Sequence, residues 1–310
     1  MFKIVIPGGT GQVGQMLARH FTAQGHEVTV LSRGDGSGWD GRTAGAWAHR
    51  VEHCDILINL AGRSVNCRYT KANRREIVDS RVESTRVLGE VIDASKRGPR
   101  VWLNASTATI YRHALDRAMD EATGELGGSE PGAPETWNFS IGVAKAWEEA
   151  FFASNTPHTR MVALRSAITF SPDRRGAFDI LSGLTRMGLG GRQGSGKQYV
   201  SWIHELDFVR AIEWLLARED LSGVVNIASP NPLTNEQFMH GLRQAWGVRI
   251  GLPATEWMLA IGAWVMRTET ELVLKSRRVV PGRLLESGFE FHYPHWPQAA
   301  RELVSRYGRR

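Results

Sequence analysis

The stretch KIVIPGGTGQVG, residues 3–14, decides how this chain is read. Its first five residues, Lys3-Ile4-Val5-Ile6-Pro7, form a short apolar run of strand length. From Gly11 onward Val13, Leu17 and Phe21 recur on one helical face. Gly8, Gly11 and Gly14 lie at the junction, three residues apart. Gly8 permits a tight turn, Gly11 lets backbone approach a pyrophosphate, and Gly14 lets the helix pack close to the sheet. The anion then faces the unpaired N–H groups and the positive dipole end of the helix. Thr10, Gln12 and Val13 fall within the same turn, so residues 8–14 read as the cradle of a dinucleotide.

Outward from this turn, strand-like and helix-like segments alternate through the first half. That order predicts an α/β protein, a Rossmann-type doubly wound parallel sheet with crossover helices. Residues 27–31, 55–60, 100–105 and 160–164 read as strands, and residues 11–24, 73–95 and 139–154 as helices. Residues 34–45 and 124–134 are loops by composition. Beyond Pro172 the alternation breaks into pieces at 178–187, 207–217, 224–227 and 235–246. The expected organisation is a dinucleotide-binding domain over 1–171, completed by parts of 200–230. A smaller, mostly helical lobe over 172–310 would hold the substrate and include a C-terminal segment 250–300, with an amphipathic helix at 297–307.

Composition narrows the function class. The chain has 310 residues, 42% hydrophobic and 23% charged, ordinary for a globular protein. The net charge of +6 comes from arginines scattered in ones and twos, with pairs such as Arg277-Arg278 and Arg309-Arg310. No helix-turn-helix, zinc or RNA-binding signature accompanies them, so no nucleic-acid partner is expected. Two cysteines, Cys54 and Cys67, are too few for a disulfide framework, and no Cys/His spacing suggests a metal. The apolar stretches are too short for a spanning helix, and the N-terminus lacks a signal-peptide pattern. A cytoplasmic monomer or homodimer acting on a small molecule, away from any membrane, is the expectation.

The end of the second strand selects the nucleotide. An NAD site usually places Asp or Glu there to bind the ribose 2′-hydroxyl. This chain has Ser32-Arg33, and an arginine fork matches a 2′-phosphate, so NADP(H) is favoured.

These residues resemble the extended short-chain dehydrogenase/reductase superfamily, which includes sugar-nucleotide epimerases and dehydratases. Residues 8–14 are similar to its GxxGxxG turn, and Asn59-Leu60-Ala61-Gly62 to the strand-end motif beside the cofactor. Ser106-Thr107-Ala108-Thr109-Ile110-Tyr111 resembles the stretch that places a catalytic Ser or Thr at Thr107. GLGGRQGSGKQ (188–198), SWIHELD (201–207), NIASPNP (226–232) and VVPGRLLESG (279–288) look like an atypical epimerase-like subfamily with a short C-terminal domain. The resemblance implies NADP(H) binding, with Ser32, Arg33, Leu60, Ala61, Glu76 and Arg81 at matching positions. It also implies oxidoreductase or epimerase-like chemistry on a small polar substrate of the sugar-nucleotide kind.

The superfamily's catalytic pair is Tyr-x-x-x-Lys on one helix. Lys145 is present, but the position four residues earlier is Ile141, which cannot move a proton. Lys145 could still hold the cofactor ribose. Tyr111 reads either as a substitute proton donor or as an aromatic wall beside the pocket, and His204 either as a substrate-facing or as a structural histidine. Asp207 reads as a helix N-cap, Arg165 equally as an internal ion pair or an anion contact. Residues 191–197 read as a flexible loop over the pocket rather than a nucleotide-binding P-loop. The alternative reading, given the missing tyrosine, is a non-catalytic NADP(H)-binding or sensing protein.

Overall fold

The computed structural model describes residues 1–34, 36–174, 176–265 and 269–307, so the Arg309-Arg310 pair lies outside the described residues. Strand β1 (Lys3–Pro7) leads into α1 (Gln12–Ala23), followed by β2 (Glu27–Leu31), α2 (Ala48–Glu52) and β3 (Ile56–Asn59). Next come α3 (Lys71–Ala94), β4 (Val101–Thr107), α4 (Glu135–Phe152) and β5 (Arg160–Ser166). The second half holds β6 (Ile168–Phe170), α5 (Ala177–Arg186), β7 (Tyr199–Val200), β8 (Trp202–His204), α6 (Glu205–Ala217) and β9 (Gly223–Ile227). It ends with β10 (Leu233–Thr234), α7 (Asn235–Trp246), α8 (Glu256–Val265), α9 (Glu271–Leu274), α10 (Gly282–Glu286) and α11 (Trp296–Tyr307).

Among the described residues, six parallel strands pair in the order β2-β1-β3-β4-β5-β9. Period-two alternation sets which side each residue serves. Ile4 and Ile6 join Leu17 and Phe21 of α1 and Phe208 and Ile212 of α6 in one core. Val5 points the other way, into a core with Val87 and Leu88 of α3 and Phe151 of α4. Both faces are covered, as an all-parallel sheet requires. The chain passes from β1 to β2 on one side and returns to β3 on the other. The carboxyl ends of β1 and β3 therefore border a crevice at the reversal point, where open α/β sheets bind ligands.

Local chemistry sets the element ends. The Thr70 hydroxyl accepts the Asn73 N–H, so α3 starts at Lys71, ahead of its apolar periodicity. Helix α6 corrects the reading of Asp207. It starts at Glu205, because β8 pairs His204 with Phe170 and runs directly into the helix. His204 is the N-cap, its Nδ1 accepting the Leu206 N–H at 3.1 Å. Asp207 instead accepts the N–H groups of His292 and Tyr293 at 2.7 and 2.8 Å, pinning the chain ahead of α11.

A further core joins Phe170, Phe178, Trp202, Phe238 and Trp296, from β6, α5, β8, α7 and α11. Residues 191–197 are bound to this part of the chain. The Gln193 N–H donates to Asn235 Oδ1 at 2.8 Å, and the Gly194 N–H donates to the Ala254 carbonyl at 2.8 Å. No helix of the described residues is long and apolar enough to cross a membrane.

Candidate functional site

The crevice at the ends of β1, β2 and β3 holds a cavity of about 680 Å³. Gly8, Thr10, Gly11, Ser32, Arg33, Leu60, Ala61, Gly62 and Glu76 line it. Its floor is backbone on backbone. Gly8 has φ +74°, and a Cβ there would stand 2.6 Å from the Ala61 backbone. A Cβ on Gly14 would stand 2.4 Å from the Gly9 Cα, so this glycine lets the helix seat on the turn. Gly11, the N-cap of α1, has no side chain to cap the helix, which leaves the first-turn N–H groups for an external partner. The cradle fits a dinucleotide pyrophosphate.

Gln12, Val13 and Gly14 serve this turn without lining the cavity. The Gln12 amide donates to Ser171 Oγ at 2.6 Å, and Val13 packs on the sheet core. At the opposite end, Arg33 is exposed and is joined by Arg42 from the Gly-rich loop, which pairs with Glu83 at 2.7 Å. Glu76 pairs with Arg63.

Arg81 stands at the edge of this cavity, so close to Gly62 that a Cβ there would lie 3.2 Å from its Cζ. Its guanidinium lies over the Trp147 ring, 5.1 Å from the centroid, and donates to the Ile77 carbonyl. Burial lowers its pKa to about 10. Arg81 and Trp147 also line a second cavity, of about 260 Å³. Its remaining walls are Val65, Tyr69, Ile77, Ser106, Thr107, Thr109, Phe139, Ser140, Val143, Ala144, Glu271, Leu272 and Arg277.

A hydrogen-bonded chain crosses this second cavity. The Tyr69 hydroxyl lies 3.3 Å from Ser140 Oγ, which donates to Glu271 Oε2 at 2.5 Å. Glu271 is 1% exposed, and its Oε1 accepts no hydrogen bond while facing Arg277 at 3.6 Å. Arg277 Nε donates to Thr109 Oγ1 at 3.0 Å, and the buried Lys275 Nζ donates to the Thr109 carbonyl at 2.6 Å. Desolvation dominates the electrostatics. Burial raises the Tyr69 pKa, and raises that of Glu271 against the pull of Arg277. Burial and the neighbouring Arg277 bring Lys275 down to about 7.

Of the residues marked out as catalytic, Thr107 reaches this cavity and three others do not. Helix α4 turns Phe139, Ser140, Val143, Ala144 and Trp147 toward it. Lys145 follows Ala144 by one residue, about 100° around the helix, and is exposed beside Gly128. Ile141 is buried against Gly127 and Gly128. Tyr111 lines neither cavity. It is 2% exposed, donates to Asn226 Oδ1 at 2.9 Å and accepts from Arg165 at 3.0 Å. Arg165 forms a buried two-pronged pair with Glu148 at 2.8 and 2.7 Å, so its partner is internal. His204 is also buried, held between the Leu206 N–H and Glu302 at 2.8 Å, and burial lowers its pKa. Residues 191–197 line neither cavity.

Tyr69, Ser140, Glu271 and Arg277 escaped the sequence reading because three segments far apart in the chain bring them together. Arg42 was masked by the glycines around it. One signal was available: Ser140 lies one helical turn from Ala144 and two from Trp147, a spacing that defines a single face.

Comparison with known proteins places the chain. Residues 4–228 match the NAD dependent epimerase/dehydratase family, and residues 254–303 a domain of unknown function, DUF1731. The human epimerase family protein SDR39U1 is 29% identical over 309 residues, covering 98% of this chain and all of that one. The Staphylococcus aureus epimerase family protein SAR0825 is 28% identical over 314 residues, covering 99% of this chain and 100% of the relative. The crystal structure of human SDR39U1 (isoform 2) with NADPH superposes with a TM-score of 0.83 at 28% identity, over 97% of this chain and 99% of that one. UDP-N-acetylglucosamine 4-epimerase from Bacillus cereus shares the fold, with a TM-score of 0.75 at 18% identity over 99% and 100% of the two chains. The six-stranded parallel sheet, the glycine cradle and the C-terminal DUF1731 segment agree: this chain belongs to the NAD dependent epimerase/dehydratase family, as an atypical extended short-chain dehydrogenase/reductase.

Proposed function

We propose that the protein is an NADP(H)-dependent oxidoreductase that exchanges a hydride with a carbonyl or alcohol carbon held in the second cavity. The observation that carries this reading is the junction at Arg81. One guanidinium borders Gly62 of the dinucleotide cradle and lines the cavity behind it. The relative solved with NADPH supports the choice of cofactor, as do Arg33 and Arg42 at the strand end, where a 2′-phosphate would lie. When bound, NADP(H) supplies or takes up the hydride. Leu60, Ala61 and Gly62 would border its ribose, and Glu76 would stay paired with Arg63 beside it.

The chain's own task is the proton. Thr107 Oγ1 accepts the Thr109 N–H at 3.1 Å and keeps its hydroxyl proton to orient a substrate oxygen. Tyr69, held neutral by burial, would give its proton to that oxygen and regain one from water, its hydroxyl positioned by Ser140, which donates to Glu271. A non-catalytic sensor is the second reading, favoured by the absence of both Tyr and Lys from the face of α4 that lines the cavity.

Binding of NADPH and NADH to purified protein, with turnover of a carbonyl panel, tests the proposal. NADPH should bind more tightly, and Arg33→Ala should cut that preference by about tenfold, roughly 1.4 kcal/mol. An unchanged preference would remove Arg33 from the 2′-phosphate site. Tight binding without turnover of any carbonyl would favour the sensor.

A further inference from the structure

We infer that the second cavity takes a compact, uncharged and largely apolar carbonyl or alcohol, one or two rings in size, and not a nucleotide sugar. The inference rests on the proposed function and names its substrate class, replacing the polar substrate expected from the sequence. Size is the first argument. The cavity holds about 260 Å³, below the range of roughly 300–1,000 Å³ that drug-sized ligands occupy. A nucleotide sugar is larger still. The walls are the second argument: Val65, Ile77, Phe139, Val143, Trp147 and Leu272 form an apolar shell, and Tyr69, Thr107 and Ser140 set hydroxyls into it.

Charge is the third argument. A diphosphate needs cations with donors to spare, and Arg277, Lys275, Arg74 and Arg68 around this cavity are engaged, which leaves Arg81. Arg277 donates to Thr109 Oγ1 and to the carbonyls of Glu271, Leu272 and Lys275. Lys275 donates to the Thr109 carbonyl. Arg74 grips Glu135 with both arms, and Arg68 donates to the Trp264 carbonyl at 2.9 Å. Arg81 stands at the junction with the dinucleotide cradle. The Glu271 carboxyl, 3.6 Å from Arg277, offsets that arginine's charge toward an incoming anion. Beside the rim, α8 exposes Trp257, Met258, Ile261 and Trp264, and Arg68 ties its end to Tyr69's segment. Exposed apolar surface of this kind suits the approach of an apolar ligand.

The test is calorimetric titration of the full-length protein, loaded with NADP⁺, with 1-indanone, cyclohexanone, UDP-glucose and UDP. The two ketones should bind at least tenfold more tightly than UDP-glucose. Ala144→Leu, which fills the cavity, should weaken 1-indanone at least tenfold while NADP⁺ affinity changes less than twofold. UDP-glucose or UDP binding as tightly as the ketones would overturn the inference. So would failure of both ketones to bind protein that holds NADP⁺. If NADP⁺ itself does not bind, the proposed function falls. Quenching of tryptophan fluorescence by 1-indanone that is lost in Trp147→Phe then still decides the cavity's chemistry, its absence from the parent counting against the inference.

Discussion

The two cavities differ in what builds them. The larger has a floor of backbone, with glycines forced on its turn where chain meets chain at Gly8 against Ala61 and Gly14 against Gly9. The smaller is walled by side chains from α3, α4, the end of β4 and α9. A backbone cradle fits the dinucleotide whatever the substrate, whereas a side-chain cavity can be recut one residue at a time. The first therefore carries the common chemistry and the second the particular substrate.

The largest effect expected from breaking one without the other is at Tyr69. Its hydroxyl is the proton donor in our reading, and general acid–base groups contribute about 10²–10⁴-fold. Tyr69→Phe keeps the ring, which meets Phe139 edge-on at 5.0 Å. It should lower kcat by about that range with the best carbonyl substrate and leave NADPH affinity unchanged. Ser140→Ala, which removes the contact that positions the hydroxyl, should cost less. A Tyr69→Phe enzyme with full kcat would shift the proton to Thr107 or to water.

Gly14→Ala attacks the other cavity. Its Cβ would meet the Gly9 backbone at 2.4 Å, and backbone cannot step aside as a side-chain tip can. Overpacking costs about 1–3 kcal/mol, and the displaced helix end should weaken NADPH by roughly 30-fold, about 2 kcal/mol. Fluorescence titration with NADPH measures it. Ketone binding by cofactor-free protein should persist, and its joint loss would mean that the two cavities are one folding unit.

This difference also explains what could be read in advance. The dinucleotide turn is seven consecutive residues whose spacing states their job, so the fold class and the cradle followed from residues 3–14. The central sheet followed from runs such as Ile56–Asn59, buried on both faces. Lys145 lies off the face of α4 that meets the second cavity, which runs through Ser140, Val143, Ala144 and Trp147, and a four-residue spacing to Ile141 does not reveal that face. Tyr111 and His204 are chemically capable groups at strand ends, yet buried partners consume them. Burial is a property of the assembled chain. Glu271 lies 202 positions after Tyr69, a pairing no local pattern announces.

The smallest effect sharpens the contrast through pH. Residues 8–14 contain no titratable side chain, whereas Lys275, behind the second cavity, gives up its proton near pH 7 because of burial and Arg277. An unfolded lysine keeps its proton to its ordinary value near 10.5. Between these values the unfolded chain binds more protons than the folded one, so this lysine makes stability rise with pH through that window. From pH 7 to 8 the gain should be about 1 kcal/mol. Urea unfolding of the parent and of Lys275→Met at both pH values isolates it, because other titrating groups are common to the two proteins. The parent's midpoint should climb relative to the variant's. Parallel midpoints would mean that Lys275 keeps its charge against the Thr109 carbonyl, and the cavity would then have a further cation behind Arg81 and Arg277. That would reopen the case for an anionic substrate.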